Sequence, residues 1–243
     1  MMIARECIGT SSCTHLSQVS SFHRLQHPPV AKKGSRCRQS CCGPVQCSVA
    51  TAEPIISIKA EQGLAKRRLI MMRHADSEER LQSVRDHDRP ITEAGKMCAR
   101  EVAQKLAERG WLPDLIMCSD SSRTRQTLST MADAVAAFGS VDTHFRGSLY
   151  TVAALDGQLR SHLQGLVTAE VQKKSGEVGC VLCVGHNKGM EEAASSLAGQ
   201  TIRLETANAA VMERAAVSWE EALCEEACWT LVELLKPDTF VEG

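Results

Sequence analysis

Apolar residues in this chain fall into short continuous runs separated by longer amphipathic stretches. Leu69–Met72, Leu115–Cys118 and Cys180–Val184 are too short for helices and are bounded by polar or turn-forming residues. Each therefore reads as a strand buried on both faces. Between the first two runs, Thr92-Glu93-Ala94-Gly95 opens a helix that Thr92 is suited to cap. Ala94, Met97, Cys98, Val102 and Leu106 give that helix one apolar stripe running to Gly110, and Pro113 separates it from the strand at 114–118. A second helix is expected over 121–138, on Leu128, Met131, Ala132, Val135 and Phe138, with Gly139 ending it and a strand following at 141–145. A third, over 155–173, carries Leu155, Leu159, Leu163, Leu166, Val167 and Val171; Gly176 and Gly179 frame the turn into the strand at 180–184. A fourth follows Asn187 and ends at Gly199. Ala209–Glu213 and Cys228–Leu235 read as antiparallel strands, the last closed by Pro237. Strands alternating with helices imply right-handed crossovers, hence an α/β protein: a three-layer α/β/α sandwich on a mostly parallel sheet.

The pattern fades at the N-terminus. Residues 1–51 hold six basic residues (Arg5, Arg24, Lys32, Lys33, Arg36 and Arg38) and one acid, Glu6, with much Ser and Thr and no sustained apolar period. Of the 28 basic and 29 acidic residues in the chain, 22 and 28 lie beyond this segment, so the remainder is acidic. Basic, hydroxyl-rich and acid-poor is the composition of an organelle transit peptide, and the lack of a compact apolar centre sets it apart from a secretory signal. Val45-Gln46-Cys47-Ser48 resembles a stromal processing site, which favours chloroplast over mitochondrion. The expected organisation is a transit peptide at 1–51, a linker or short leading helix at 52–66, one domain at 67–237 and a tail at 238–243. The segment 77–90, polar and charged, is expected to be a loop.

Six of the 12 cysteines lie in the leader, leaving Cys98, Cys118, Cys180, Cys183, Cys224 and Cys228. A disulfide framework is not expected in a domain of this size in a mostly reducing compartment. Cys180 and Cys183 have C-x-x-C spacing but sit inside an apolar strand, where cysteine behaves as a small hydrophobe. No run of the length needed for a membrane span occurs. The scarcity of aromatics (4 Phe, 3 Trp, 1 Tyr) and the lack of a basic stripe give no support to nucleic-acid binding. Neither nucleic acid nor membrane is an expected partner.

The chemistry lies where the apolar runs end. The first ends in Arg73-His74-Ala75-Asp76, the last in Gly185-His186, and the middle one leads into Ser119-Asp120-Ser121-Ser122-Arg123. In α/β folds ligands bind outside the carboxyl ends of strands. Three strand ends thus deliver two His and two Arg, a set suited to phosphate. Guanidinium groups bind two phosphoryl oxygens at once and stay charged. They also favour the neutral imidazole that a nitrogen nucleophile requires.

With these residues in view the chain resembles the histidine phosphatase superfamily. Arg73-His74-Ala75 is similar to the superfamily signature, whose third position is usually Gly. Ser119-Asp120-Ser121-Ser122-Arg123-Thr124-Arg125-Gln126-Thr127 is similar to its second-arginine motif, and Gly185-His186-Asn187 to its second-histidine motif. Asp86-His87-Asp88-Arg89-Pro90-Ile91-Thr92-Glu93-Ala94-Gly95, Leu149-Tyr150 and Val184–Glu192 resemble the SixA-type phosphohistidine phosphatase branch, and the resemblance spans about residues 67–237.

The resemblance implies a phosphoglycerate mutase-like fold and a metal-independent phosphatase with no cofactor. In it His74 is the nucleophile that becomes phosphorylated, Arg73 and Arg123 clamp the phosphoryl oxygens, and His186 donates to the same group. Asn187 is a candidate cap of the fourth helix, whose amides would add positive potential. Arg89 either reaches the rim or pairs with Asp86 or Asp88; Arg125, two positions past Arg123, either lies at the rim or forms an ion pair elsewhere. No counterpart of the glutamate-containing cap motif of mutase-like members is present. Since a poor leaving group needs a proton donor, this favours labile phosphoramidates. The expected substrate is protein phosphohistidine. The alternatives are a small phosphorylated metabolite, cleaved as a phosphomonoester, and a phospho-ligand binding module without turnover.

Overall fold

The computed structural model describes residues 63–79 and 83–238. The expected transit peptide at 1–51, most of the linker and nearly all of the tail lie outside the described residues.

Six strands form one sheet. They are β1 (Ala65–Arg73), β2 (Leu115–Ser119), β3 (Asp142–Arg146), β4 (Cys180–Gly185), β5 (Ala209–Ala216) and β6 (Thr230–Leu235). Their order is β3-β2-β4-β1-β5-β6. The first four are mutually parallel where they pair, and β5 and β6 extend the sheet antiparallel on the β1 side. Strand β1 begins at Ala65, within the segment expected to be a linker.

The helices are α1 (Glu93–Glu108), α2 (Ser122–Ala134), α3 (Ala137–Ser140), α4 (Ser148–Thr151), α5 (Leu159–Val171), α6 (Asn187–Ala198) and α7 (Trp219–Ala222), with 3₁₀ turns at Asp86–Asp88 and Val152–Ala154. The strand side chains alternate between two cores. Leu69, Met71, Met117, Val181 and Cys183 pack with Leu159, Leu163, Val167, Met190, Leu197 and both Trp219 and Trp229 on one face. Ile70, Met72, Ile116, Leu182 and Val184 pack with Cys98, Val102, Leu106, Leu128, Met131 and Phe138 on the other. The outcome is the three-layer α/β/α sandwich expected from the pattern.

Local chemistry sets the helix boundaries. Thr92 caps α1 by accepting the Gly95 amide at 2.9 Å while its hydroxyl donates to Asp76 at 2.9 Å. Gly95 also has a packing reason to be Gly, because a Cβ there would lie 2.4 Å from the Asp76 carbonyl oxygen. The α1 stripe differs from expectation at Met97, which is 51% exposed; Gly95, Ala99 and Ala103 take the buried side. The helix expected over 121–138 ends at Ala134. Val135 turns extended (φ −137°, ψ 100°), and the break lets Phe138 enter the core. The third helix starts at Leu159 rather than Leu155, since Gly157 adopts a left-handed φ of 69° that a helix cannot continue through. Gly199 ends α6 in the same conformation, φ 63°.

Candidate active site

Strand register decides what meets at the carboxyl edge. Arg73 pairs with Gly185 across β1 and β4, and Cys118 with Val184 across β2 and β4. The residues that follow, His74, Ser119 and His186, therefore emerge side by side. The His74 amide donates to the Gly185 carbonyl at 3.0 Å, and the His74 carbonyl accepts the Ala207 amide at 3.1 Å. Ala207 holds a left-handed φ of 61° to make that contact. Ala75 is tied from the other side, its amide donating to the Thr127 hydroxyl at 3.0 Å, which in turn donates to the Arg123 carbonyl at 2.6 Å. The nucleophile candidate and the first turn of α2 are thus fixed to each other through one hydroxyl.

The His74 side chain is buried, and its Nδ1 lies 2.7 Å from the Ala75 carbonyl oxygen. A carbonyl only accepts, so Nδ1 carries the proton and, in the neutral ring, Nε2 keeps a free lone pair. Burial pushes the His74 pKa down to about 4, and the nearby charges of Arg123, Arg73 and Arg89 add to this against the opposing pull of the Ala75 bond. At neutral pH His74 is an uncharged imidazole whose Nε2 lone pair has no hydrogen-bond partner among the described residues.

The second imidazole stands against the first. The His74 and His186 ring centroids are 5.3 Å apart, tilted by 58°. His186 Nε2 is 2.9 Å from the Ser119 hydroxyl, and its buried Nδ1 has no protein partner. Burial, then the neighbouring His74 and Arg123, drives its pKa down to about 3. Ser119 Oγ also accepts the Ser121 amide at 3.5 Å, and the Ser121 hydroxyl lies 3.5 Å from His186 Nε2.

Arg123, the second residue of α2, is buried. Its two terminal nitrogens donate to Asp86, one to the backbone carbonyl at 2.5 Å and one to the carboxylate at 2.8 Å. The same carboxylate accepts the Tyr150 hydroxyl at 2.8 Å and faces Arg89 at 3.3 Å. These contacts, the Arg123 hydrogen bond foremost, hold the Asp86 carboxyl down to about 2. Arg73 donates to the Leu204 carbonyl at 3.0 Å, and its charge acts on both His74 and Arg123. The Nε atoms of Arg73 and Arg123 are buried without a protein partner.

The four strand-end groups, Arg73, His74, Arg123 and His186, are therefore brought together. The other candidates lie around this group. Arg89 donates to the Ser77 hydroxyl at 2.6 Å and pairs with Asp86, so of its open roles the ion pair is the one realised. Arg125 donates to the Asp120 carbonyl and lies over the Phe145 ring, 4.0 Å from its centroid. Asn187 does not cap α6: His186 occupies the cap position without a side-chain cap bond, and Asn187 is the exposed first residue of the helix. A cap side chain must sit one residue earlier, where the site already uses the imidazole.

Sequence reasoning gave no role to Ser119, Thr127 or Tyr150, and to Asp86 only that of a candidate partner of Arg89. Tyr150 stands edge-on to His186 with centroids 4.9 Å apart, and it is the single tyrosine of the chain. The available signals were a hydroxyl at the last position of a strand and an acid within the 86–90 segment; neither identifies its partner without the fold.

Cys180 and Cys183 both lie buried in β4, and desolvation raises each thiol to about 12, which opposes the thiolate a metal would need. Among the described residues no group of three or more His, Cys, Asp and Glu side chains is placed to hold a metal ion. No described helix is long and apolar enough to cross a membrane.

Comparison with known proteins places this arrangement in context. Residues 69–147 match the family described as histidine phosphatase superfamily (branch 1). The chain is 42% identical over 198 residues to the Arabidopsis thaliana chloroplastic protein At3g52155, covering 80% of this chain and 89% of that protein. The putative phosphohistidine phosphatase SixA of Nakamurella multipartitia superposes with a TM-score of 0.55 at 26% identity, covering 73% of this chain and 99% of the bacterial one. The putative SixA of Agrobacterium tumefaciens gives 0.54 at 26% identity, over 70% and 98% of the two chains.

Proposed function

Because the chain belongs to the histidine phosphatase superfamily, on its SixA-like side, we propose that it is a phosphatase that hydrolyses protein phosphohistidine through a covalent intermediate on His74. One observation supports this reading most: a neutral His74 whose Nδ1–H is spent on the Ala75 carbonyl, leaving Nε2 free within reach of the charges of Arg123 and Arg73. The Nε2 lone pair attacks phosphorus, a phosphorus–nitrogen bond forms, and the bond to the substrate nitrogen breaks with its electron pair staying on that nitrogen. Arg73 and Arg123 stabilise the charge spread over the equatorial oxygens, and His186 donates a hydrogen bond to one of them. Water then attacks the phosphorylated His74, releasing phosphate and restoring the imidazole.

Two features favour a side chain displayed on a protein over a small ester. A phosphorus–nitrogen bond is more labile than a sugar ester. In addition, the chain between β2 and β4 is taken up by α2, β3, α5 and short turns, with no inserted cap domain among the described residues. The bacterial neighbours at 26% identity carry the name phosphohistidine phosphatase, which points the same way. Plastid stroma is the proposed location, from the basic, hydroxyl-rich leader and the chloroplastic Arabidopsis relative.

The test is rapid-quench labelling. The protein without residues 1–51 is mixed with ³²P-phosphohistidine protein, or with small phosphate esters, in the presence and absence of EDTA. Acid-labile phosphate on His74 is expected, abolished by His74→Ala and insensitive to EDTA. Turnover without label on His74, or a rate that collapses in EDTA, would refute the mechanism. Faster turnover of small esters than of phosphohistidine protein would reassign the substrate.

A further inference from the structure

The site as described contains no evident source of the leaving-group proton. His186 is already neutral, Asp86 is ionised and fully engaged, and the Tyr150 hydroxyl is committed to Asp86. Asp76 accepts a hydrogen bond from Thr92. One further imidazole lies beside these groups. His87, on the 3₁₀ turn whose Asp86 carbonyl holds Arg123, has its ring 5.2 Å from that of Tyr150, edge-on. His74 stands against His186, His186 against Tyr150 and Tyr150 against His87, with centroid distances of 5.3, 4.9 and 5.2 Å, and the charge of His87 reaches His186. The series leads from buried His74 to His87, whose side chain is 38% exposed.

Both nitrogens of His87 face carboxylates: Nδ1 is 3.1 Å from Asp88 and Nε2 is 3.1 Å from Asp120. Two acceptors on one ring demand two N–H groups, so the geometry selects the imidazolium. In-line displacement sends the leaving atom away from His74.

On the reading that His74 is phosphorylated, we propose that His87 is the proton donor to the leaving group, held cationic by Asp88 and Asp120. As the bond from phosphorus to the leaving atom breaks, that atom takes the place of Asp120 at Nε2. It keeps the bonding electron pair and receives the Nε2 proton. Neutral His87 then takes a proton from the water that attacks phosphorylated His74, and the cycle closes. Asp120 stands on the connection from β2 to α2 and is itself partly exposed, so it can yield its position. The same carboxylates raise the His87 pKa. Tyr150 from α4 meets its ring and His186 from α6 feels its charge; around its two carboxylate partners, Arg85 pairs with Asp88 and Arg125 from α2 donates to the Asp120 carbonyl, while the neighbouring Asp86 pairs with Arg123 from α2.

Substituted phenyl phosphates test this, because leaving-group basicity varies while the phosphoryl group stays fixed. His87→Gln is expected to lower kcat/KM for phenyl phosphate about 100-fold, while that for 2,4-dinitrophenyl phosphate stays within about 3-fold. The alkaline fall of the phenyl phosphate pH profile should disappear in this variant. In Asp120→Asn the same fall should move to lower pH. A uniform loss across the series, no loss, or a wild-type dependence as steep as the variant's would overturn the proposal. Labelling with 2,4-dinitrophenyl phosphate separates the two layers. No phosphate on His74 would refute the parent mechanism; labelled His74 with unchanged leaving-group dependence would refute the role of His87 alone.

Discussion

Acidification tests the claim that burial keeps His74 neutral. An ordinary imidazole titrates near 6.5, whereas His74 in the folded protein is pushed down to about 4. At about 1.4 kcal/mol per pH unit, that gap means the fold disfavours the His74 imidazolium by roughly 3 kcal/mol. The sign follows from proton uptake. The unfolded chain binds the His74 proton as pH falls through 6.5, and the folded protein does not until about 4. Stability is therefore intact above pH 6.5 and declines as pH falls toward 4, by up to about 3 kcal/mol from this residue alone. Against a total of about 5–15 kcal/mol for an ordinary domain, this is measurable. The assay pairs urea unfolding midpoints from pH 8 to 4.5 with ¹⁵N–¹H long-range spectra of histidine-labelled protein. His74 should hold the Nδ1–H tautomer throughout that range, and His74→Ala should flatten part of the stability slope between pH 6.5 and 4.5. A His74 resonance that titrates near 6.5, or an Nε2–H tautomer, would refute both the electrostatic account and the assignment of Nε2 as the attacking atom.

Other perturbations follow from single contacts. Gly95→Ala should cost about 1–3 kcal/mol in thermal unfolding, because its Cβ would meet the Asp76 carbonyl oxygen at 2.4 Å and backbone must move. Thr127→Val removes the acceptor of the buried Ala75 amide and should cost about 1–3 kcal/mol, with a fall in kcat as His74 loses its tie to α2. Arg123→Lys should raise KM for phosphorylated substrates at least about 10-fold, since a single ammonium cannot replace the planar fork; unchanged KM would remove Arg123 from the clamp. Thiol labelling at pH 8 should modify exposed Cys228 rapidly and leave Cys180 and Cys183, both pushed up to about 12, untouched until the protein unfolds.

Much of this was legible along the chain because the relevant physics is local. Two apolar runs ending in His and one leading to Arg123 mark strand termini, and alternation of strands with amphipathic stretches implies the parallel core of the sheet and its two helical layers. Thr92 as a helix cap and Gly199 as a helix stop depend on no distant partner. Where tertiary demands competed, the local reading slipped. Gly157 and Val135 divert helices that periodicity alone would continue, and Met97 yields the buried face of α1 to Gly95 and Ala99.

The sequence by itself determined which residues stand at the ends of strands, because apolar periodicity and turn chemistry act over a few positions. Tertiary structure alone decided what those residues do to one another. The register of Arg73 against Gly185 sets two imidazoles 5.3 Å apart, and burial strips both of charge. The pairing of Arg123 with Asp86, and of His87 with Asp120, joins positions 37 and 33 residues apart. Hydrogen-bond partners and desolvation are properties of proximity in space, and no pattern of neighbours along the chain encodes them.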